Sequence, residues 1–306
     1  MPTSWEQPTD AAARKHNVFG TMTYPISSDT IANPLLVALL RALSSCFGKA
    51  GKDFFVIGAA SRDILRLYLE AEPSPRRTRD LDIAIAVDSW DDFFDISEML
   101  KQNGFRKDRH MKQRFYYGEY PDADYELDVV PFGGVTAPGE KIYWPPEESP
   151  MMSVKGFASV LKDCVDVVVD NEFSFKIPSA PAFFVLKFDA WLDRHLLNDK
   201  DAKDMSFILA NYYLHEITSP AHLEVLDVLP DPFEPFIAGA YMIAKDIIPL
   251  LKRDVLLSYV SDIEAELAKE QRSQLLTQSM GPEYGYDIVR EAWTVIANEF
   301  KKAAQE

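Results

Sequence analysis

The stretch Arg77-Thr78-Arg79-Asp80-Leu81-Asp82-Ile83-Ala84-Ile85-Ala86-Val87 decides how the chain is read. From Leu81 to Val87 the large apolar residues fall on every second position, the period of a strand with one face buried. Asp80 and Asp82 stand two apart at its start, so their carboxylates share a face. A second run, Tyr125-Glu126-Leu127-Asp128-Val129-Val130, is a further predicted strand and puts Glu126 and Asp128 on one face. A charge inside an apolar strand is costly unless something compensates it. Asp80, Asp82 and Asp128 converging from adjacent strands would make an oxygen-rich pocket suited to Mg²⁺ or Mn²⁺. The plainer alternative is a strand-capping Asp80 and an edge-strand Asp128.

Upstream, Val56-Ile57-Gly58-Ala59-Ala60-Ser61-Arg62-Asp63 runs from a strand through glycine into a helix. Small residues there let a triphosphate approach the backbone, and the helix amino terminus offers N–H donors to an anion. Ser61 and Arg62 fall in its first turn. Tight strand-to-helix packing uses the same small residues, so both readings stand at this point.

Further out, a helix is expected from Pro34 to near Gly48 and Gly51, and a buried strand at Phe54–Ile57. Another helix follows from Ala59 to Glu70, stopped by Pro73 and Pro75. Ser89 caps a helix from Trp90 to about Gln102. Arg114–Tyr117 is a further strand, and 138–150 is a loop rich in Pro and Gly. Val165–Val169 and Phe173–Ile177 form a hairpin turned at Asp170-Asn171. From there helical periodicity takes over, at 180–197, 201–215, 233–248, 252–274 and 284–302. The expected fold is α+β: an arm over 1–30, a mixed sheet with helices over 31–177, and a helical domain over 178–306.

In the helical part, Lys187 and Arg194 lie seven apart, two turns, and share a face with Ala190 between them. Such a basic pair can hold the β and γ phosphates of a nucleotide. Asp201 and Asp204, three apart on the next helix, can orient Lys187 or accept a proton from an attacking group. Ordinary ion pairs on a solvated helix give the same pattern.

Composition narrows the function. The 306 residues carry 32 Lys and Arg against 48 Asp and Glu, a net charge of −16. Such a chain repels a phosphate backbone on average, which argues against sequence-independent binding of long DNA. Two cysteines, Cys46 and Cys164, cannot build a disulfide framework. The first residues lack a secretory pattern, and no stretch is apolar for long enough to span a membrane. A cytoplasmic, soluble protein is expected.

The order of these parts resembles the nucleotidyltransferase (polymerase beta-like) superfamily: a strand ending in Gly, a helix, Asp-x-Asp on a second strand and a lone Asp on a third. Arg77-Thr78-Arg79-Asp80-Leu81-Asp82 is similar to the Arg-x-Thr-x-Asp-x-Asp signature of the AbiEii-like family, named for toxins of type IV abortive-infection toxin–antitoxin systems. Lys187-Phe188-Asp189-Ala190-Trp191-Leu192-Asp193-Arg194 and Lys200-Asp201-Ala202-Lys203-Asp204 resemble its two helical motifs. The likeness spans roughly residues 54 to 215. Two departures stand out: Ala59 replaces the usual Gly or Ser, and Asp80 follows Gly58 by 22 positions, a long gap. The Gly58-x-x-x-Arg62-Asp63 pattern is closer to the tRNA CCA-adding branch.

The resemblance implies Mg²⁺- or Mn²⁺-dependent transfer of NMP from NTP, with pyrophosphate released. By it, Asp80, Asp82 and Asp128 bind metal, with Asp128 also helping to activate the acceptor. Lys187 and Asp204 complete the catalytic set, and Gly58, Ala59, Ser61, Arg62, Thr78, Arg194 and Asp201 contact the nucleotide. The acceptor is an RNA such as a tRNA end, a protein, or a small molecule as in antibiotic modification. A cognate antitoxin is a further implied partner. A non-catalytic nucleotide-binding relative is the rival of a different class, against which the three intact aspartates argue.

Overall fold

The computed structural model of the chain describes residues 23–31, 33–69, 71, 80–118, 124–216 and 233–305. In its first half the strands are β1 (Thr23–Ile26), β2 (Phe54–Ile57), β3 (Asp80–Val87), β4 (Arg106–Lys107), β5 (Arg114–Tyr117) and β6 (Tyr125–Gly133). A short hairpin, β7 (Lys141–Tyr143) and β8 (Met151–Ser153), precedes β9 (Cys164–Val169) and β10 (Phe173–Pro178). Eight of these form one mixed sheet in the order β1-β9-β10-β2-β3-β6-β5-β4, with β7 and β8 paired apart. The sheet's helices are α1 (Pro34–Ala50), α2 (Gly58–Tyr68), α3 (Trp90–Gln102) and the single turn α4 (Phe157–Val160). Beyond β10 the described elements are helices: α5 (Ala180–Arg194), α6 (Lys200–Glu216), α7 (Pro235–Ile247), α8 (Arg253–Leu267), α9 (Gln274–Ser279) and α10 (Tyr286–Ala303). The α+β class is the one expected.

Local chemistry sets the boundaries. Asn33 caps α1 by accepting from the Leu35 N–H, and Gly51 ends it in the left-handed region. Ser89 caps α3, with Asp91 and Asp92 in the first turn where the helix dipole favours anions. The β9–β10 hairpin turns through Asp170 and Asn171, at φ 50° and 57°, the pair of positive values that a tight two-residue turn requires.

Three stretches differ from expectation. Thr23–Ile26, inside the expected arm, is a strand paired in parallel with β9, Thr23 opposite Asp166. It supplies partners for what would otherwise be an exposed sheet edge. The loop over 138–150 contributes Lys141–Tyr143 to the β7–β8 pair. The helical run over 252–274 breaks after Leu267, because the buried Glu266 carboxylate accepts from the Ser273 hydroxyl (2.7 Å) and the Leu275 N–H (3.1 Å). That carboxylate fixes the corner where α9 begins.

Buried apolar side chains form one cluster from Phe55 and Ile83 in the sheet through Phe183 and Phe188 of α5 to Trp293 and Phe300 of α10. Helices α6 and α7 approach each other closely. A Cβ added at Gly239 would lie 2.0 Å from the Leu209 carbonyl oxygen, so the two backbones meet with no side chain between them. Gly239→Ala should therefore lower unfolding stability by about 1–3 kcal/mol, as overpacking does. Gly48, also helical, has nothing within 4 Å of its would-be Cβ. Gly48→Ala should raise stability by roughly 0.5–1 kcal/mol. Urea titration of the two variants checks the opposite signs.

Candidate active site

Parallel pairing of β3 and β6 sets Asp82 directly beside Asp128 and Asp80 beside Glu126. Register neighbours point to the same face, so four carboxylates line one face of two strands about 4.8 Å apart. Since β6 lies between β3 and β5, Asp128 is an interior strand residue and no edge charge. Beneath Asp82 the chain turns from β2 into α2 at Gly58, whose φ is +69°. A Cβ there would fall 2.3 Å from Asp82 Oδ2. Glycine is thus needed twice over, for the backbone angle and for the space the carboxylate fills.

Burial, with the charges of Asp80 and Asp128 next in weight, pushes the Asp82 carboxyl up to about 6; Lys187 and Arg114 oppose the shift. A neighbour on the other side of Asp128 explains part of that balance. Arg114 of β5 lies opposite Asp128 in the antiparallel register. Its Nε and Nη2 reach Asp128 Oδ1 and Oδ2 at 2.8 and 3.0 Å, and its Nη1 lies 2.6 Å from Glu126 Oε2. Among the described residues no three His, Cys, Asp or Glu side chains are gathered as a ready-made cation cluster. The donor set nevertheless fits a hard divalent ion: Asp82 is an enclosed carboxylate crowded by like charge, and oxygen donors are what Mg²⁺ and Mn²⁺ take.

Helix α5 brings two cations into electrostatic reach of this group. Lys187, buried but for 9% of its surface, lies 2.8 Å from Asp204 Oδ2 and 3.3 Å from Asp201 Oδ1. Two turns on, Arg194 grips Asp201 with Nε and Nη2 at 2.7 and 2.9 Å. Burial alone would push Asp201 up, but Arg194 and Lys187 outweigh it and hold the carboxyl below its ordinary range. The hydrogen bond to Asp201, and to a lesser degree the charges of Asp201 and Asp82, raise the Arg194 guanidinium. Both cations of α5 thus interact electrostatically with Asp82 of the strand.

Arg62 ties the two halves together. Nearly buried, it bonds Asp63 Oδ1 at 2.8 and 2.9 Å, and its Nη1 lies 3.9 Å from Asp204 Oδ1. Ser61 is fully buried, and its hydroxyl has no hydrogen-bond partner in the structure. Ala59 is half-buried at the head of α2, whose amino terminus has no side-chain cap. Thr78 lies outside the described residues. A second tie joins the segment after β8 to α5: Lys155 Nζ lies 2.6 Å from Asp189 Oδ1, a carboxylate 5% exposed.

The structure brings together Gly58, Asp80, Asp82 and Asp128 on the sheet side and Lys187, Arg194, Asp201 and Asp204 on the helical side. Sequence reading missed Arg114. Its only signal was its place in a strand before the Asp128 strand, and the register that sets the two face to face is not visible in the sequence.

No family model matches the chain, and no curated protein is similar to it. Among solved structures, an antigenic nucleotidyltransferase-like protein from Paracoccidioides brasiliensis aligns over 59% of this chain and 75% of its own, at 18% identity and a TM-score of 0.39. JHP933 from Helicobacter pylori aligns over 92% and 94%, at 16% identity and a TM-score of 0.34. The antibiotic-resistance factor ANT(2'')-Ia aligns over 75% and 95%, at 14% identity and a TM-score of 0.34. Likeness at this level does not assign a function, which rests on the geometry above.

The Asp82 carboxyl gives a pH test. Its folded-state value of about 6 exceeds the ordinary 3.9 or so of an unfolded chain, so the folded protein binds the extra proton between these limits. The stabilisation is present at pH 4 and below and is lost as pH rises to 6. Above pH 6 the penalty reaches about 3 kcal/mol. In metal-free buffer at pH 7.5, Asp82→Asn should therefore melt higher than the unaltered protein, with the gap closing towards pH 4. Melting curves of both proteins across that range test the sign.

Proposed function

We propose that the protein is a divalent-cation-dependent nucleotidyltransferase, which moves NMP from an NTP to an acceptor and releases pyrophosphate. One observation carries the reading: Asp80 and Asp82 on one strand, with Asp128 registered against Asp82 on the next, in electrostatic reach of Lys187 from the helical side. A sheet has no structural need for such a group of enclosed like charges. A triphosphate bound with divalent ions gives it a use.

Asp80, Asp82 and Asp128 would hold the cation. When bound, it neutralises the triphosphate and the charge that develops as the α-phosphorus is attacked. Everything else falls to the chain's own groups. The uncapped amino terminus of α2 offers backbone N–H donors to phosphate oxygens. Lys187 and Arg194 hold the far phosphates and stabilise the leaving pyrophosphate. Asp201 and Asp204 anchor both cations from behind, so neither has to be ordered when the nucleotide arrives. The acceptor oxygen attacks the α-phosphorus, the bond to the β-phosphate breaks, and the acceptor's proton passes to Asp128.

The finer form of the reading is an AbiEii-like toxin paired with a cognate antitoxin, its acceptor an RNA such as a tRNA end, or a protein. It draws on the Asp80–Asp82 and Lys187–Asp204 motifs. A small-molecule acceptor is the main alternative. Incubation with each α-labelled NTP, Mg²⁺ and fractionated RNA, protein and metabolites separates them by where the label goes.

Two variants test the core. ATP with Mg²⁺ should raise the melting temperature, and Asp80→Asn should abolish the Mg²⁺-dependent part of the rise. Lys187→Ala should keep the fold, because Arg62 and Arg194 still face Asp204 and Asp201. It should lose a charge-assisted contact of about 1.5–3 kcal/mol, some 10- to 150-fold in kcat/KM. Full activity in Lys187→Ala would remove the lysine from the mechanism.

A further inference from the structure

The group that restrains Asp128 is as well defined as the carboxylates themselves. Arg114 closes on both oxygens of Asp128 with two parallel hydrogen bonds, at 2.8 and 3.0 Å. This fork geometry is specific to a guanidinium and makes the strongest class of side-chain contact. The third Arg114 nitrogen sits 2.6 Å from Glu126, whose side chain is 41% exposed against 15% for Asp128. Arg114 is thus shared between an enclosed carboxylate on the Asp82 side and a more open one two residues before it on β6.

The geometry points to Arg114 as a latch: it holds both oxygens of Asp128 while the site is unloaded, and a divalent ion has to compete with it for that carboxylate. This rests on the nucleotidyltransferase reading, since it assumes that Asp80, Asp82 and Asp128 take the ion. Glu126 makes the exchange feasible. When the fork opens, the guanidinium keeps an anionic partner within reach and is not left stranded. The cost of the latch is a higher ion concentration for loading, because the ion binds against the fork's hold on Asp128.

Binding of Mn²⁺ alone, followed by calorimetry and by melting temperature, tests the latch without any turnover. Arg114→Lys keeps the positive charge but cannot hold both oxygens. The latch predicts that it binds Mn²⁺ about three- to tenfold more tightly than the unaltered protein, and that Arg114→Gln binds at least about tenfold more tightly. Without Mn²⁺ both variants should melt lower, since Asp128 loses its partner, and Mn²⁺ should restore more than it restores in the unaltered chain. A tighter Arg114→Gln beside an unchanged Arg114→Lys would reduce the effect to through-space charge and overturn the latch. Weaker Mn²⁺ binding in both variants would overturn it as well. Asp80→Asn is the control for the underlying reading. If it binds Mn²⁺ as well as the unaltered protein, the ion site itself is elsewhere; if it loses binding while the Arg114 variants match the unaltered chain, only the latch fails.

Discussion

Two carboxylates side by side on neighbouring parallel strands, Asp82 and Asp128, form the constraint around which the molecule is built. Like charges at that spacing repel, and enclosure strengthens the repulsion because less water screens it. The structure answers with cations from two directions. Arg114 comes in along the sheet from β5, and Lys187 and Arg194 come down from α5. Each cation is tethered by a further carboxylate: Glu126 for Arg114, Asp204 and Asp201 for Lys187, Asp201 for Arg194. The charges therefore alternate outward from Asp82 in a chain of paired groups. Buried polar networks of this kind confer position more than stability.

The same arrangement joins the two halves of the chain. The sheet carries the anions and the helical layer supplies most of the countercharge, while Arg62 of α2 sits at the seam between Asp63 and Asp204. One apolar cluster runs through both halves, so the strands that carry the anions and the helix that carries the cations share a core.

Much of this could be read from the chain, and what could not has a common cause. The two-residue spacing of Asp80 and Asp82 fixes their common face, because strand geometry is local. The seven-residue spacing of Lys187 and Arg194 does the same on a helix, and both do reach Asp201. Neighbour relations across strands are different. That Asp128 falls beside Asp82, and Arg114 opposite Asp128, depends on loop lengths and register, which no short window encodes. Thr23–Ile26 escaped notice for the same reason: Thr-Tyr-Pro-Ile becomes a strand because β9 offers an edge to cover. The corner at Glu266 hides in a helical pattern because a single buried carboxylate, bonded to Ser273 and Leu275, overrides propensity.

Lys155 and Asp189 bear on how freely α5 can move. Asp189 lies two residues beyond Lys187 on α5, and its enclosed carboxylate is paired with a lysine outside the helical layer. Sliding or turning α5 would pull that pair apart and leave a charge buried without its partner, a loss that proteins rarely sustain. Helix α5 is accordingly a wall and not a lid. Lys187, two residues before Asp189, thus keeps its place beside the strand carboxylates through a pair that lies outside their charged group.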